Sequence, residues 1–444
     1  MVTGPGRMRR AARLALPRTD LSRYWWGQAA SAFGSTFTAV ALPIVAVIDL
    51  HASPGAIALI SAAAVLPMLL LGLPAGALAD RITRPRRTLL LLDSACALAA
   101  GTVAAGLAGH VASLGWLVLL SLFGGCASIL IEVVYFVHLR QVAGDDGIGR
   151  ARARLQAGEY GAGFAGRLLV GPVIVAFGAG AALGVDAVSY VLSALALLSM
   201  RPVAPVARER AESSPAAAFR SAAAGLRLLI GDAFQRELLL FIIMPVIAAA
   251  GTGTLIGPFL LRAVHVPASV YGLAFALSGL TGLGGSALAS RLLGPRRNPR
   301  TLTLISFALS MACGLLLPLA AGPLPVAITV AALGTALPVF FGAIANVTLS
   351  TAFTADIPQD LLGRAVAALQ VLAAAAGLAG ALAGGAIGDW IGPRDALWAM
   401  DAGALGVTVL LLPHAIRSAA RTAARAPSPS PSPAAGELSG SLPS

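Results

Sequence analysis

Polar positions in this chain fall in short clusters between apolar runs of about 20 residues or more, the length an α-helix needs to cross a bilayer core. Twelve such runs predict membrane helices at about 24–49, 55–79, 88–108, 113–137, 155–177, 180–200, 237–261, 270–290, 301–321, 324–349, 365–387 and 395–415. The junctions at 177–180 and 321–324 are very tight. The longest internal polar stretch, 201–236, carries Pro, Ser and mixed charge and divides the spans six and six. The expected organisation is all-α: a cytoplasmic arm (1–23), a six-helix bundle (24–200), a cytoplasmic linker (201–236), a second six-helix bundle (237–416) and a tail (417–444). The end of the tail is rich in Pro, Ser, Ala and Gly and has nothing to bury, so the tail is expected to be disordered.

Composition makes lipid the solvent. Of 444 residues 57% are hydrophobic and 11% charged, with mean hydropathy +0.85, whereas soluble domains carry about 25% charged residues. A soluble enzyme, a secreted protein and a disordered regulator are excluded. All 31 basic residues are arginine. Without lysine there is no Walker A loop and no pyridoxal Schiff base. Cys96, Cys126 and Cys313 lie inside apolar runs, with no disulfide or metal spacing. The histidines are scattered, without an HExxH pair.

The net charge of +12 reads as topology rather than nucleic-acid binding. With both termini cytoplasmic, 28 arginines fall on the inner side, Arg262 and Arg394 face outward, and Arg167 lies within a span. That is a strong positive-inside bias. Tyr24, Trp25 and Trp26 open span 1, and Trp390 and Trp398 flank the last outer loop, as interfacial anchors do. The expected location is a bacterial cytoplasmic membrane, crossed many times.

An internal echo points to duplication. Ala77-Leu78-Ala79-Asp80-Arg81 ends span 2 and Ala287-Leu288-Ala289-Ser290-Arg291 ends span 8, each before an arginine-rich turn. Parallel repeats are a transporter architecture. The stretch Gly72 to Arg87, with Gly76, Asp80, Arg81, Arg84, Arg86 and Arg87, then resembles the loop 2–3 signature of the major facilitator superfamily, Gly-x3-Asp-Arg-x-Gly-Arg-[Arg/Lys]. Thr83 takes the glycine place.

Further strings resemble the drug-exporter branch that includes macrolide-efflux proteins and the enterobactin exporter. They are Phe33-Gly34-Ser35, Ala41-Leu42-Pro43, Ala52-Ser53-Pro54, Asp186-Ala187-Val188-Ser189 and Pro358 to Arg364, where Leu362 replaces a usual arginine. Span 5 departs from the exporter pattern: Gly171-Pro172 lacks a following Gly-Gly, and Arg167 stands where an apolar residue or proline is expected.

Ionisable residues inside spans are functional candidates by default. Glu132 leads as proton carrier, with Tyr135 at i+3 on nearly the same face; the competing reading is a carboxylate that snorkels to the inner interface near Arg140. Asp186 is the second proton candidate, and on consecutive antiparallel spans it is also placed to neutralise Arg167. Glu159 is expected to pair with Arg152 or Arg154, and Asp401 to be hydrated. The resemblance implies a central cavity lined by spans 1, 4, 7 and 10. Its polar residues would include Gln28, Ser31, Ser35 and Thr38, then Ser128, Glu132 and Tyr135, and then Thr252, Thr254, Asn346 and Thr348. It also implies an inner gate of Gly76, Asp80, Arg81, Arg84, Arg87 and Arg364, in which Asp80 docks on the N-terminus of span 11.

The expected activity is secondary active transport: proton-coupled efflux of small lipophilic compounds by alternating access between the bundles. No cofactor is called for beyond the proton gradient, and the partners are the solute, protons and the bilayer, with no nucleic acid and a monomeric chain. The alternatives are a proton-coupled uptake carrier and a non-transporting receptor or assembly protein on the same fold. No nucleophile–base pair suggests an enzyme.

Overall fold

The computed structural model describes residues 18–72, 74, 82–143, 148–201, 227, 233–294, 298–356 and 359–425, and every structural statement here concerns these. Among them there is no strand. The first six helices are α1 (Arg18–Ile44), α2 (Pro54–Leu71), α3 (Pro85–Ala108), α4 (Leu114–Ala143), α5 (Ile148–Phe177) and α6 (Ala179–Ser199). The second six are α7 (Ala233–Pro258), α8 (Ala268–Leu292), α9 (Pro299–Gly314), α10 (Leu324–Asp356), α11 (Gln359–Ile391) and α12 (Pro393–Arg425). Ten candidate membrane spans are long and apolar enough to cross a bilayer. The chain is a multi-pass membrane protein.

Helix ends follow local chemistry. Ser53 caps α2 by accepting from the Ala56 N–H, and Pro54 stands in its first turn. Asn298 and Pro299 do the same for α9. The tight α5–α6 connection is one residue, Gly178, at φ +83°, and Gly392 at φ +89° joins α11 to α12 the same way. Only glycine takes that conformation without a Cβ penalty. Several edges differ from the hydropathy reading, and two of them have a clear local cause. Helix α1 begins at Arg18, six residues into the expected arm, because Asp20 suits a helix N-terminus and pairs with Arg23 at 3.5 Å. Helix α12 continues to Arg425, through part of the expected disordered tail, where alternating Ala and Arg are strong helix formers.

The duplication is literal in the backbone. Both α1 and α7 end in a π-helical turn, at Val45–Asp49 and Phe259–Ala263, followed by a left-handed histidine, His51 and His265. These pairs, and Gly178 with Gly392, are each 214 positions apart (45 and 259, 51 and 265, 178 and 392). Packing repeats as well. Helix α1 lies against α5 and α6, and α3 against α4 and α6; in the second half α7 lies against α11 and α12, and α9 against α10 and α12. The halves meet along α2 with α11 and α5 with α8, two contacts that the repeat interchanges.

Candidate functional site

The two ends of the bundle are built differently. At the end carrying the 50–53, 264–267 and 392 connections, one apolar cluster runs through both halves, from Phe37, Val47 and Leu183 to Leu255, Phe259 and Leu397. Two polar contacts cross the halves there. The Asp389 carboxylate at the end of α11 accepts from the Ser53 hydroxyl (3.2 Å) and the Gly55 N–H (3.1 Å) at the start of α2. Arg262, after α7, donates to the carbonyls of Ala52 (2.9 Å) and Val47 (2.5 Å) after α1. At the arginine-bearing end the clusters belong to one half each: Tyr24, Leu89, Leu139, Leu155 and Leu197 in the first, Leu239, Ile242, Phe307, Leu349 and Ala368 in the second. Among the described residues the halves thus share one core at the first end and keep separate cores at the second.

On the first half Glu132 is exposed on α4 and makes no ion pair among the described residues. Tyr135 stacks on Tyr24, with ring centroids 5.1 Å apart. Tyr135 lies within electrostatic reach of Glu159 on α5, which is also within reach of Glu132. Glu159 forms no salt bridge with Arg152 or Arg154 among the described residues, although Arg152 is within its electrostatic reach; Arg152 lies over the Phe136 ring at 5.6 Å, and the Arg154 carbonyl accepts from the Trp25 indole. Gln28 is half-buried on α1, and Asn346 is exposed on α10 while donating to the Gly342 carbonyl (3.0 Å).

Other expected cavity residues bond to helices of their own half. Ser35 shares a hydrogen bond with the Tyr190 hydroxyl of α6 (3.3 Å), and Thr252 donates to Asp401 of α12 (3.1 Å). Asp186 is buried, accepting from Thr38 of α1 and Ser189 of α6. It does not pair with Arg167. The two are held apart because Asp186 is on the face of α6 that packs on α1, whereas Arg167 is on the face of α5 that meets α8. A Cβ at Gly279 of α8 would lie 2.9 Å from the Arg167 guanidinium. Asp401 is buried, and its second carboxyl oxygen has no partner among the described residues.

Thr38–Asp186 and Thr252–Asp401 are equivalent tethers, each fastening the first helix of a half to the sixth; the threonines are again 214 positions apart (38 and 252). In the expected inner gate, Arg84 and Arg87 are exposed at the start of α3; Gly76, Asp80 and Arg81 and the Arg364 side chain lie outside the described residues.

Four charged residues acquire a setting that the span pattern does not single out. Asp93, buried on α3, accepts from Ser193 (2.7 Å); its position inside an apolar run is the signal. Asp389 falls two residues beyond the expected end of span 11. Arg262 is one of two exceptions to the arginine bias, and that exception is itself the clue. Asp401 is a further acid within a span.

Residues 24–381 match the family described as Major Facilitator Superfamily. No curated protein sequence matches the chain. Among solved structures, a substituted form of nucleoside transporter NupG aligns with TM-score 0.69 and 14% identity, over 90% of this chain and 99% of that one. A bacterial homolog of the human lysosomal transporter Spinster, in an inward-facing and unoccupied conformation, aligns with TM-score 0.60 and 17% identity, over 91% and 96%. At such identities the likeness concerns the fold, and the sequence match carries the assignment: the chain belongs to the Major Facilitator Superfamily.

Proposed function

We propose that this protein is a secondary active transporter that exports small lipophilic compounds in exchange for protons, by alternating access between its two halves. The observation that carries the reading is the contrast between one shared core at one end and two separate cores at the other, the arrangement of a transporter caught open on one side. The arginine distribution supports a cytoplasmic open side. Export is supported by the resemblance of spans 1, 6 and 11 to the drug-exporter branch and by a cleft with few polar fixtures.

Glu132 is our choice of coupling acid. It is an exposed carboxylate on α4 within electrostatic reach of Glu159, whereas Asp186 is enclosed between α1 and α6. An acid at membrane depth gains or loses its proton as hydration changes with each swing of the halves. Glu132→Gln fixes the protonated form, so solute still binds while gradient-driven accumulation stops.

A drug-susceptibility panel in an efflux-deficient bacterial host, paired with uptake into everted vesicles, tests direction and coupling together. Resistance with proton-dependent uptake into everted vesicles is expected. Accumulation in intact cells instead establishes an importer, and full proton-dependent transport by Glu132→Gln removes Glu132 from the coupling role.

A further inference from the structure

Arg167 is a charge without a counter-charge. It stands about midway along the α5 span, is exposed, and forms no ion pair among the described residues. The grooves on the lateral side of α5, lined with Ala162, Leu169 and Val173 against α1 and α6, lie on the opposite helical face, given 100° per residue. Its own side faces α8, with the guanidinium beside Gly279.

Among the described residues, the helices that meet between the halves supply it with no paired acid. Away from their ends, α1, α2, α7, α8, α10 and α11 contain no Asp or Glu, α4 contains Glu132 and α5 contains Glu159. Glu159 is eight residues, about 12 Å, further toward the open end, and neither it nor Glu132 pairs with Arg167 among the described residues. The acids of the peripheral helices are engaged elsewhere: Asp93 with Ser193, Asp186 with Thr38 and Ser189, and Asp401 with Thr252.

An arginine at this depth is costly unless it meets water or an anion. A guanidinium is the side chain best matched to a carboxylate, which it grips with two parallel hydrogen bonds. The remaining surface offered by α7, α8 and α10 is hydroxyls, one amide (Asn346) and apolar side chains. We propose that Arg167 recognises an anionic group on the transported solute, and that the solute class is an amphipathic organic anion: a carboxylate on an apolar body, its charged end directed toward the sealed end of the cleft. This rests on the transport reading above and narrows its solute.

A matched pair of fluorescent probes separates the two ideas: N-dansyl-leucine, which carries a carboxylate, and N-dansyl-leucinamide, the same body without it. Binding to the full-length protein in nanodiscs and gradient-driven uptake into proteoliposomes are measured for both. The wild type is expected to bind the carboxylate about tenfold or more tightly than the amide, the difference expected of a charge-assisted contact. Arg167→Gln should erase that preference while leaving amide binding and the thermal unfolding midpoint unchanged, and Arg167→Lys should keep part of it. Equal affinity for both probes in the wild type, preference retained in Arg167→Gln, or binding of neither probe overturns the proposal. Gradient-driven uptake of the amide without any carboxylate preference overturns the proposal and leaves the transporter reading standing; carboxylate preference without gradient-driven uptake of either probe does the reverse.

Discussion

The sealed and open ends of the molecule are made from the same helices, yet one end joins the halves and the other parts them. At the sealed end an acid that closes α11 sits on the exposed N-terminus of α2, where Ser53 and Gly55 donate to Asp389. At the open end the sequence offers the reciprocal arrangement: Asp80 follows α2 along the chain, and the resemblance implies that it docks on the N-terminus of α11. A helix N-terminus attracts a carboxylate through its unpaired N–H groups and dipole. Two helices that cross between the halves can therefore latch at either end by the same physics, with donor and acceptor helices exchanged. Such latches are weak. Their value is that they bias a balance between two states without locking either.

The strongest way to break the comparison is steric. A Cβ at Gly385 of α11 would stand 2.3 Å from the Ala58 Cβ and 3.0 Å from the Pro54 carbonyl oxygen of α2. Gly385→Leu therefore cannot close the sealed end as it stands. Overpacking of this kind costs about 1–3 kcal/mol, or about 5- to 150-fold in the ratio of the two states. The expected outcome is an opened far end and a matching fall in turnover. Spin labels on Ser113→Cys and Ala321→Cys in a background lacking Cys96, Cys126 and Cys313 report it: the distance distribution should shift to longer values. An unchanged distribution with unchanged transport contradicts a steric seal at α2–α11.

A smaller effect is expected from Asp389→Asn. The amide oxygen can still accept from Ser53 and Gly55, but charge-assisted bonds are roughly twice as strong as neutral ones, so the loss is about 1 kcal/mol and the state ratio moves about fivefold. The same labels should register a partial shift toward opening of the far end, without loss of expression. A shift in the other direction contradicts a latch.

How much of this is legible in sequence depends on the kind of interaction. Helix number, the repeat and the tight Gly178 junction follow from apolar runs and glycine, because bilayer crossing is a property of local composition; ten of the twelve expected spans are long and apolar enough among the described residues. Side-chain partners do not follow. Arg167 and Asp186 suggest a pair on adjacent spans, but rotation about each helix axis decides contact, and Asp186 turns to Thr38. Ser35 and Thr252 are read as cavity hydroxyls for the same reason and turn instead to α6 and α12. Asp389 and Arg262 show that residues at span ends are the least legible, since hydropathy treats them as loop while the fold uses them across the halves.

The smallest expected effect sharpens the comparison most. If Asp80 latches the open end when that end closes, Asp80→Asn destabilises the closed arrangement there and moves the protein toward the state described, open at the arginine-bearing end. A surface charge at a helix N-terminus is worth roughly 0.3–1 kcal/mol, which is about a two- to fivefold change, opposite in sign to Asp389→Asn. Transport should slow while folding and membrane insertion persist. The decisive measurement combines the two: because the sites are at opposite ends and share no partner, their effects should add, and the Asp80→Asn/Asp389→Asn protein should return toward the wild-type distance distribution. Partial recovery of transport in the double variant, relative to either single one, then follows from restored balance rather than from restored contacts. If both single variants shift the distribution the same way, or if Asp80→Asn leaves distribution and turnover unchanged, Asp80 is a solvated loop acid and the reciprocal latch does not exist.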